Sequence, residues 1–150
     1  MTHHLAQINI GTARFPLDSL EMKGFMDALD EINALAEAHP GFVWRLKGEG
    51  NDATSLRPYD DDRILVNMST WKDLESLREY VYKSAHTDYL RRRKEWFETM
   101  REAITVLWWV PAGHIPDVAE AKERLESLRE HGSTPRAFSF REPFPAPMES

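Results

Sequence analysis

Ala6-Gln7-Ile8-Asn9-Ile10 is the stretch that decides the fold, because apolar and amide side chains alternate through it. The same period of two recurs in segments 42–46, 64–69 and 104–110. Alternate residues of an extended strand point to opposite sides of a sheet. The four segments therefore predict a sheet with one plainly apolar side and one side that mixes polar, aromatic and aliphatic residues.

We call these sides the apolar face and the mixed face. The predicted apolar face consists of Ala6, Ile8, Ile10, Phe42, Trp44, Leu46, Ile64, Val66, Met68, Ile104, Val106, Trp108 and Val110. The predicted mixed face consists of Gln7, Asn9, Val43, Arg45, Leu65, Asn67, Ser69, Thr105, Leu107 and Trp109. An apolar face is typical of a core packed under helices. The mixed face suits a cavity or a partner better than open water.

Composition and charge exclude several classes of protein. The 150 residues suffice for one domain with a real core, and 41% are hydrophobic. A net charge of −6 argues against a broad nucleic-acid surface. The chain has no cysteine, which excludes disulfides and thiolate catalysis. No apolar run approaches the ~20 residues of a membrane span, and the N-terminus resembles no secretory signal, so we expect a cytoplasmic protein.

Helical periodicity separates the predicted strands. Phe25, Leu29, Ile32 and Leu35 share one face of a helix that ends at 39–41. A second helical stretch begins near Trp71, a third spans the region around residues 89–100, and an amphipathic helix spans 117–131. The order β-α-β-β-α-β with a C-terminal helix predicts a ferredoxin-like split βαβ fold of the α+β class, with an antiparallel sheet.

Helices on one side of such a sheet leave the other side bare. We expect the helices to cover the apolar face and a second copy of the chain to cover the mixed face. The predicted assembly is thus a homodimer whose two sheets enclose a chamber. Residues 1–142 form the predicted domain, and residues 143–150 a proline-rich extended tail.

Several phrases carry a resemblance to a known superfamily. They are residues 5–9, 69–77, 83–86, 108–114 and 137–140. With the order of elements, they resemble the antibiotic-biosynthesis-monooxygenase-like superfamily of dimeric α/β barrels, and within it an uncharacterised bacterial family of domains of unknown function. The resemblance implies either a small oxygenase that oxidises aromatic compounds without metal or flavin, or a haem-degrading oxygenase, or a non-enzymatic dimer.

Three residues occupy positions comparable to functional ones in that superfamily: Asn9, Trp71 and His86. In the haem-degrading members an Asn, a Trp and a His stand at such positions, so the resemblance implies haem as an alternative cofactor. For an oxygenase without cofactor, the leading expectation, His86 accepts a proton and Asn9 and Asn67 orient the oxygen function. The alternative for His86 is a capping or packing role at a helical bend.

The remaining candidates are aromatic, polar or cationic residues around the same predicted chamber. His86, Tyr89 and Arg93 share a face if a helix begins near residue 84. Trp71 and Trp109 are expected to confine an aromatic ligand, and the alternative for Trp71, which we favour, is a core plug at the turn from strand to helix. The amides of Gln7, Asn9 and Asn67 either bind a ligand or form a structural network.

Arg45 on the mixed face also has two interpretations. It either stabilises an enolate or carboxylate of a ligand, or pairs with an acidic residue of a second protomer. No spacing of His, Asp or Glu in the chain is typical of a closed metal site, so we expect no metal centre. The expected partners are a small aromatic or apolar molecule and a second copy of the chain.

Overall fold

The computed structural model describes residues 2–47, 59, 61, 63–83, 92–99 and 102–147. The strands are β1 (His3–Thr12), β2 (Phe42–Arg45), β3 (Ile64–Trp71) and β4 (Thr105–Pro111). The helices are α1 (Lys23–Ala38), α2 (Leu74–Lys83) and α3 (Val118–His131). A 3₁₀ turn, Leu20–Met22, precedes α1, and residues 92–96 are also helical.

The four strands form one antiparallel sheet in the order β2-β3-β1-β4. This order and the α+β class confirm the predicted ferredoxin-like fold. In the register, Asn9 lies opposite Asn67 on one side and Thr105 on the other. Polar positions of three strands therefore share one row of the sheet. Within the described ranges, no helix has both the length and the hydropathy to cross a bilayer.

The apolar face packs against α3 of the same chain. Residues of β1, β3 and β4 on this face form one buried cluster with Ala121, Leu125 and Leu128. Two local signals define the helix. The Asp117 side chain accepts a hydrogen bond from the Glu120 backbone at 2.8 Å, and Gly132 (φ +73°) follows the last turn. Both lie where the sequence predicts the helix to begin and end.

The mixed face lies under α1 and α2, which contradicts the expectation that a second protomer covers it. Leu5 and Trp71 of this face cluster with Ala36 of α1 and with Leu77 and Tyr80 of α2. The prediction placed every helix on the apolar face. The chain instead turns after β4 at Gly113 (φ +92°), and the following helix α3 takes the apolar face. The helices α1 and α2 are thereby left to cover the mixed face.

A bulge in β2 changes which of its residues reach the mixed face. The register shifts between Phe42 and Trp44, so Phe42 faces Trp71 and Arg45 faces Ser69. Val43, predicted for the mixed face, is displaced to the surface and is 42% exposed. Arg45 reaches the mixed face as predicted, and Phe42 joins it in place of Val43.

The packing of α3 on the apolar face predicts a large loss of stability for Leu125→Ala. Leu125 is fully buried in this cluster, so its truncation leaves a cavity and costs about 2–5 kcal/mol of the free energy of unfolding. Urea denaturation measures the effect, and Glu130→Ala on the exposed side of α3 is the matched control. Equal stabilities of the two variants would contradict the assigned packing.

Candidate functional site

A cavity of about 350 Å³ lies between the mixed face and the helices α1 and α2. Six residues predicted for the site line it: Gln7, Asn9, Arg45, Asn67, Trp71 and Arg93. His86 and Tyr89 lie outside the described residues. The structure thus gathers residues of three strands and of the 92–99 segment around one space, within a single chain.

A hydrogen-bond network joins three polar residues of the cavity floor to the indole of Trp71. Gln7 Nε2 donates to Asn67 Oδ1 and to Ser69 Oγ, both at 2.8 Å. Ser69 Oγ also accepts a hydrogen bond from Trp71 Nε1 at 2.8 Å. Since Gln7 and Ser69 are both buried, this network holds the indole in one orientation. Asn67 is exposed at the mouth of the cavity.

A second network surrounds Asn9. Its amide nitrogen donates to Thr105 Oγ1, and its amide oxygen accepts from an Arg93 nitrogen at 3.3 Å. A second Arg93 nitrogen donates to the Ile10 carbonyl at 3.1 Å, and the guanidinium lies 5.1 Å from the centre of the Phe97 ring. Three contacts therefore hold a positive charge beside Asn9, at the wall of the cavity.

The described side chains that line the cavity carry a net positive charge. Among the residues that the structure describes, two arginines and no carboxylate line the cavity. Arg45 pairs with Glu37 of α1, at 3.3 Å between nitrogen and oxygen. One interpretation of Arg45 was an ion pair with an acidic residue of a second protomer. In the structure its acidic partner, Glu37, lies in the same chain. No described carboxylate forms an ion pair with Arg93, so its charge favours an anionic or strongly polarised oxygen in the cavity.

Aromatic rings form one end of the cavity. The Trp71 ring stacks on Tyr80, with 5.1 Å between centroids and 27° between planes, and Phe42 meets it edge-on at 5.6 Å. Tyr80 Oη donates to the Ile32 carbonyl at 3.1 Å and thereby joins α2 to α1. Trp71 is 1% exposed. It is therefore both a core residue and a wall of the cavity, so its two interpretations are compatible.

The first turn of α2 sets the position of this aromatic wall. Asp73 Oδ1 accepts a hydrogen bond from the Ser76 backbone nitrogen at 2.8 Å. This hydrogen bond lowers the pKa of Asp73 below the ordinary value of an aspartate. The carboxylate therefore stays ionised at neutral pH and stabilises the start of the helix that carries Leu77 and Tyr80.

Trp109 does not line the cavity, contrary to the prediction that it confines a ligand ring. Its indole nitrogen donates to the Phe144 carbonyl at 2.9 Å. Phe138, on the same stretch of chain, exchanges two backbone hydrogen bonds with Leu107 of β4. The segment after α3 therefore covers this part of the mixed face. The alternating pattern of β4 predicts the face of the sheet on which Trp109 lies. It does not predict the distant segment that covers that face.

Asn33 is a cavity residue that the sequence analysis missed. It lies on α1 among the apolar residues Leu29, Ile32 and Ala36, is 6% exposed and lines the cavity. The sequence does contain a signal for this residue. Asn33 follows Leu29 by four residues and so interrupts the apolar stripe of the helix. Within the described ranges, no group of three His, Cys, Asp or Glu residues could hold a metal ion.

Comparisons with known proteins agree with this fold. A family model described as a domain of unknown function (DUF3291) matches residues 4–150. A search of curated protein sequences finds no match.

Solved structures match at low sequence identity. A crystal structure of a mutant of SnoaB, a cofactor-independent oxygenase from Streptomyces nogalater, superposes with a TM-score of 0.50 at 15% identity. The match covers 75% of this chain and 95% of SnoaB. The protein NE2512 of unknown function from Nitrosomonas europaea gives a TM-score of 0.48 at 12% identity, over 77% of this chain and 97% of its own. The likeness to SnoaB confirms the fold.

The network around Ser69 predicts that Ser69→Ala destabilises the protein by about 1–3 kcal/mol, because two buried donors lose their acceptor. In a Gln7→Met background the same substitution should cost less, since one of those donors is already gone. Chemical denaturation of the four proteins in this double-mutant cycle measures the coupling. Equal costs in both backgrounds would contradict the shared hydrogen bonds.

Proposed function

The chain belongs to the DUF3291 family, and we propose that it binds a small oxygenated aromatic molecule in its cavity and oxidises it with dioxygen, without a metal or flavin. The observation that carries the proposal is the lining of the cavity. Aromatic rings, amides and arginine guanidinium groups line it, and no described carboxylate does. SnoaB, which shares the fold, is a cofactor-independent oxygenase and supports the choice of reaction.

The size and the walls of the cavity favour a flat aromatic ligand. Its 350 Å³ falls near the lower end of the ~300–1,000 Å³ that small-molecule pockets span. Trp71 and Tyr80 form a stacked wall at one end, and Phe25 and Phe97 meet edge-on at 5.1 Å at the other. Flat rings gain both buried area and favourable ring contacts between such walls.

The polar groups favour a ligand whose oxygen becomes negatively charged. Asn9 and Asn67 lie opposite each other on neighbouring strands, and Arg93 holds its charge beside Asn9. A phenol or enol that loses its proton in the cavity gains a charge-assisted hydrogen bond from this guanidinium. Arg93 and the two amides therefore lower the cost of forming a substrate anion, which reacts with dioxygen far more readily than the neutral molecule does.

The proposed reaction balances without a further reductant, because the substrate supplies all the electrons. A ring CH₂ that is activated by a carbonyl through the aromatic ring system loses a proton, and the carbanion combines with dioxygen and a proton to form a C–O–OH group. Loss of the second ring proton with hydroxide leaves a ketone and water. The net change is CH₂ + O₂ → C=O + H₂O. His86 is the proton acceptor that the sequence predicts, and it lies outside the described residues.

The two alternatives have less support. Haem binding depends on His86 as a ligand, since no histidine lines the described part of the cavity. A purely structural role for the mixed face predicts a face packed without a void. A cavity of about 350 Å³ against that face argues for a ligand instead. The proposal therefore stays with an aromatic substrate and dioxygen.

Anthrone, a three-ring compound with an activated ring CH₂, tests the proposal. The purified protein should accelerate dioxygen uptake and anthraquinone formation in the presence of a metal chelator. Asn9→Ala should reduce the rate by about 10²-fold, because it removes a partner of Arg93 and an oxygen-binding amide. Glu130→Ala, far from the cavity on α3, is the control. No acceleration over buffer, or equal rates in Asn9→Ala and the control, would refute the proposal.

A further inference from the structure

The amide of Asn33 is the polar group that helix α1 contributes to the cavity, and it forms no hydrogen bond with the described part of the chain. Asn33 is 94% buried, since 6% of its surface is exposed, and it lines the cavity. No hydrogen bond connects its side chain to any of the residues that the structure describes. The amides of Gln7, Asn9 and Asn67 on the opposite wall all have partners.

The Asn33 amide opens onto the cavity and not into the packed core, since the fully buried, unpartnered side-chain atoms of the described residues do not include it. Buried polar groups in proteins are nearly always hydrogen-bonded to the protein, to water or to a ligand. A leucine at this position would extend the apolar stripe formed by Leu29, Ile32 and Ala36. The asparagine therefore adds no hydrogen bond to the described fold, and its amide can pair with a group inside the cavity.

The course of α1 places Asn33 between the two ends of the cavity, nearer to the Trp71 end. Near the start of the helix, Phe25 contacts Phe97 and clusters with Leu65. Near its end, Ala36 clusters with Leu5 and Trp71. Leu65 and Trp71 are the two ends of the cavity along β3. Asn33 lies between these points, so a ring held between the aromatic ends has sheet amides on one side and Asn33 on the other.

We propose that Asn33 determines ligand specificity by hydrogen bonding to a second oxygen of the ligand, a hydroxyl or carbonyl on the ring edge that faces α1. The first oxygen of the ligand is the one that Asn9, Asn67 and Arg93 bind on the sheet side of the cavity. This inference rests on the part of the proposed function that makes the ligand aromatic. It does not require that the protein oxidises that ligand. The ligand class is accordingly a polycyclic aromatic compound with oxygen substituents on two sides.

The test compares 1,5-dihydroxynaphthalene, which has two such oxygens, with naphthalene, which has none. Wild-type protein should bind the dihydroxy compound more tightly. Asn33→Leu should weaken that binding by about fivefold to tenfold and leave naphthalene binding equal or tighter, because one hydrogen bond is lost. Ile32→Leu, a neighbouring change of cavity shape without a change of polarity, is the matched control and should shift both affinities alike. Fluorescence titration measures all six dissociation constants.

Each other outcome overturns a distinct claim. If both probes bind and Asn33→Leu keeps the wild-type preference, the role of Asn33 is wrong and the aromatic site stands. If wild-type protein binds neither probe, the proposed aromatic ligand fails, and the role of Asn33 with it. Without ligand, Asn33→Leu should melt at or above the wild-type Tm. A Tm lower by more than about 3 °C would assign the amide to the fold and contradict the inference.

Discussion

The separation of apolar and polar side chains onto opposite faces of one antiparallel sheet is the constraint on which the rest of the structure depends. Period two places Ala6, Ile8 and Ile10 on the face that packs on α3. It places Gln7 and Asn9 on the other face, where α1 and α2 enclose them. A shift of one residue in the pairing would exchange the two faces and bury the amides under α3. Register, core and cavity are therefore set together.

The polar groups of the cavity differ in what they contribute. Gln7 and Ser69 satisfy each other and hold Trp71, so they shape the floor. Asn9 and Arg93 satisfy each other but retain a charge without an acidic partner among the described residues. The Asn33 side chain forms no hydrogen bond among the described residues. Arg93 and Asn33 are therefore the groups that remain able to bind a ligand, and the two proposals rest on them.

Local patterns predicted much of this from the sequence, and distant contacts account for the rest. Alternation predicted the strands, and helical periodicity over 117–131 predicted the limits of α3. Five of the predicted site residues share one cavity because strand faces are a local property, and Arg93 joins them from the 92–99 segment. Which helix covers which face depends on the path after β4, and no local signal reveals it. The bulge at Val43 and the tail over Trp109 are tertiary features of the same kind.

A homodimer stays a prediction, and the structure constrains its interface. Helix α3 covers the apolar face and helices α1 and α2 cover the mixed face, so neither face is free to receive a second sheet in the described part of the chain. Methyl NOE spectroscopy on a mixture of labelled and unlabelled chains tests this arrangement most directly. NOEs should join Leu125 and Leu128 to Ile8 and Val106 within one chain and be absent from the isotope-filtered intermolecular spectrum. Intermolecular NOEs from either sheet face would contradict the account.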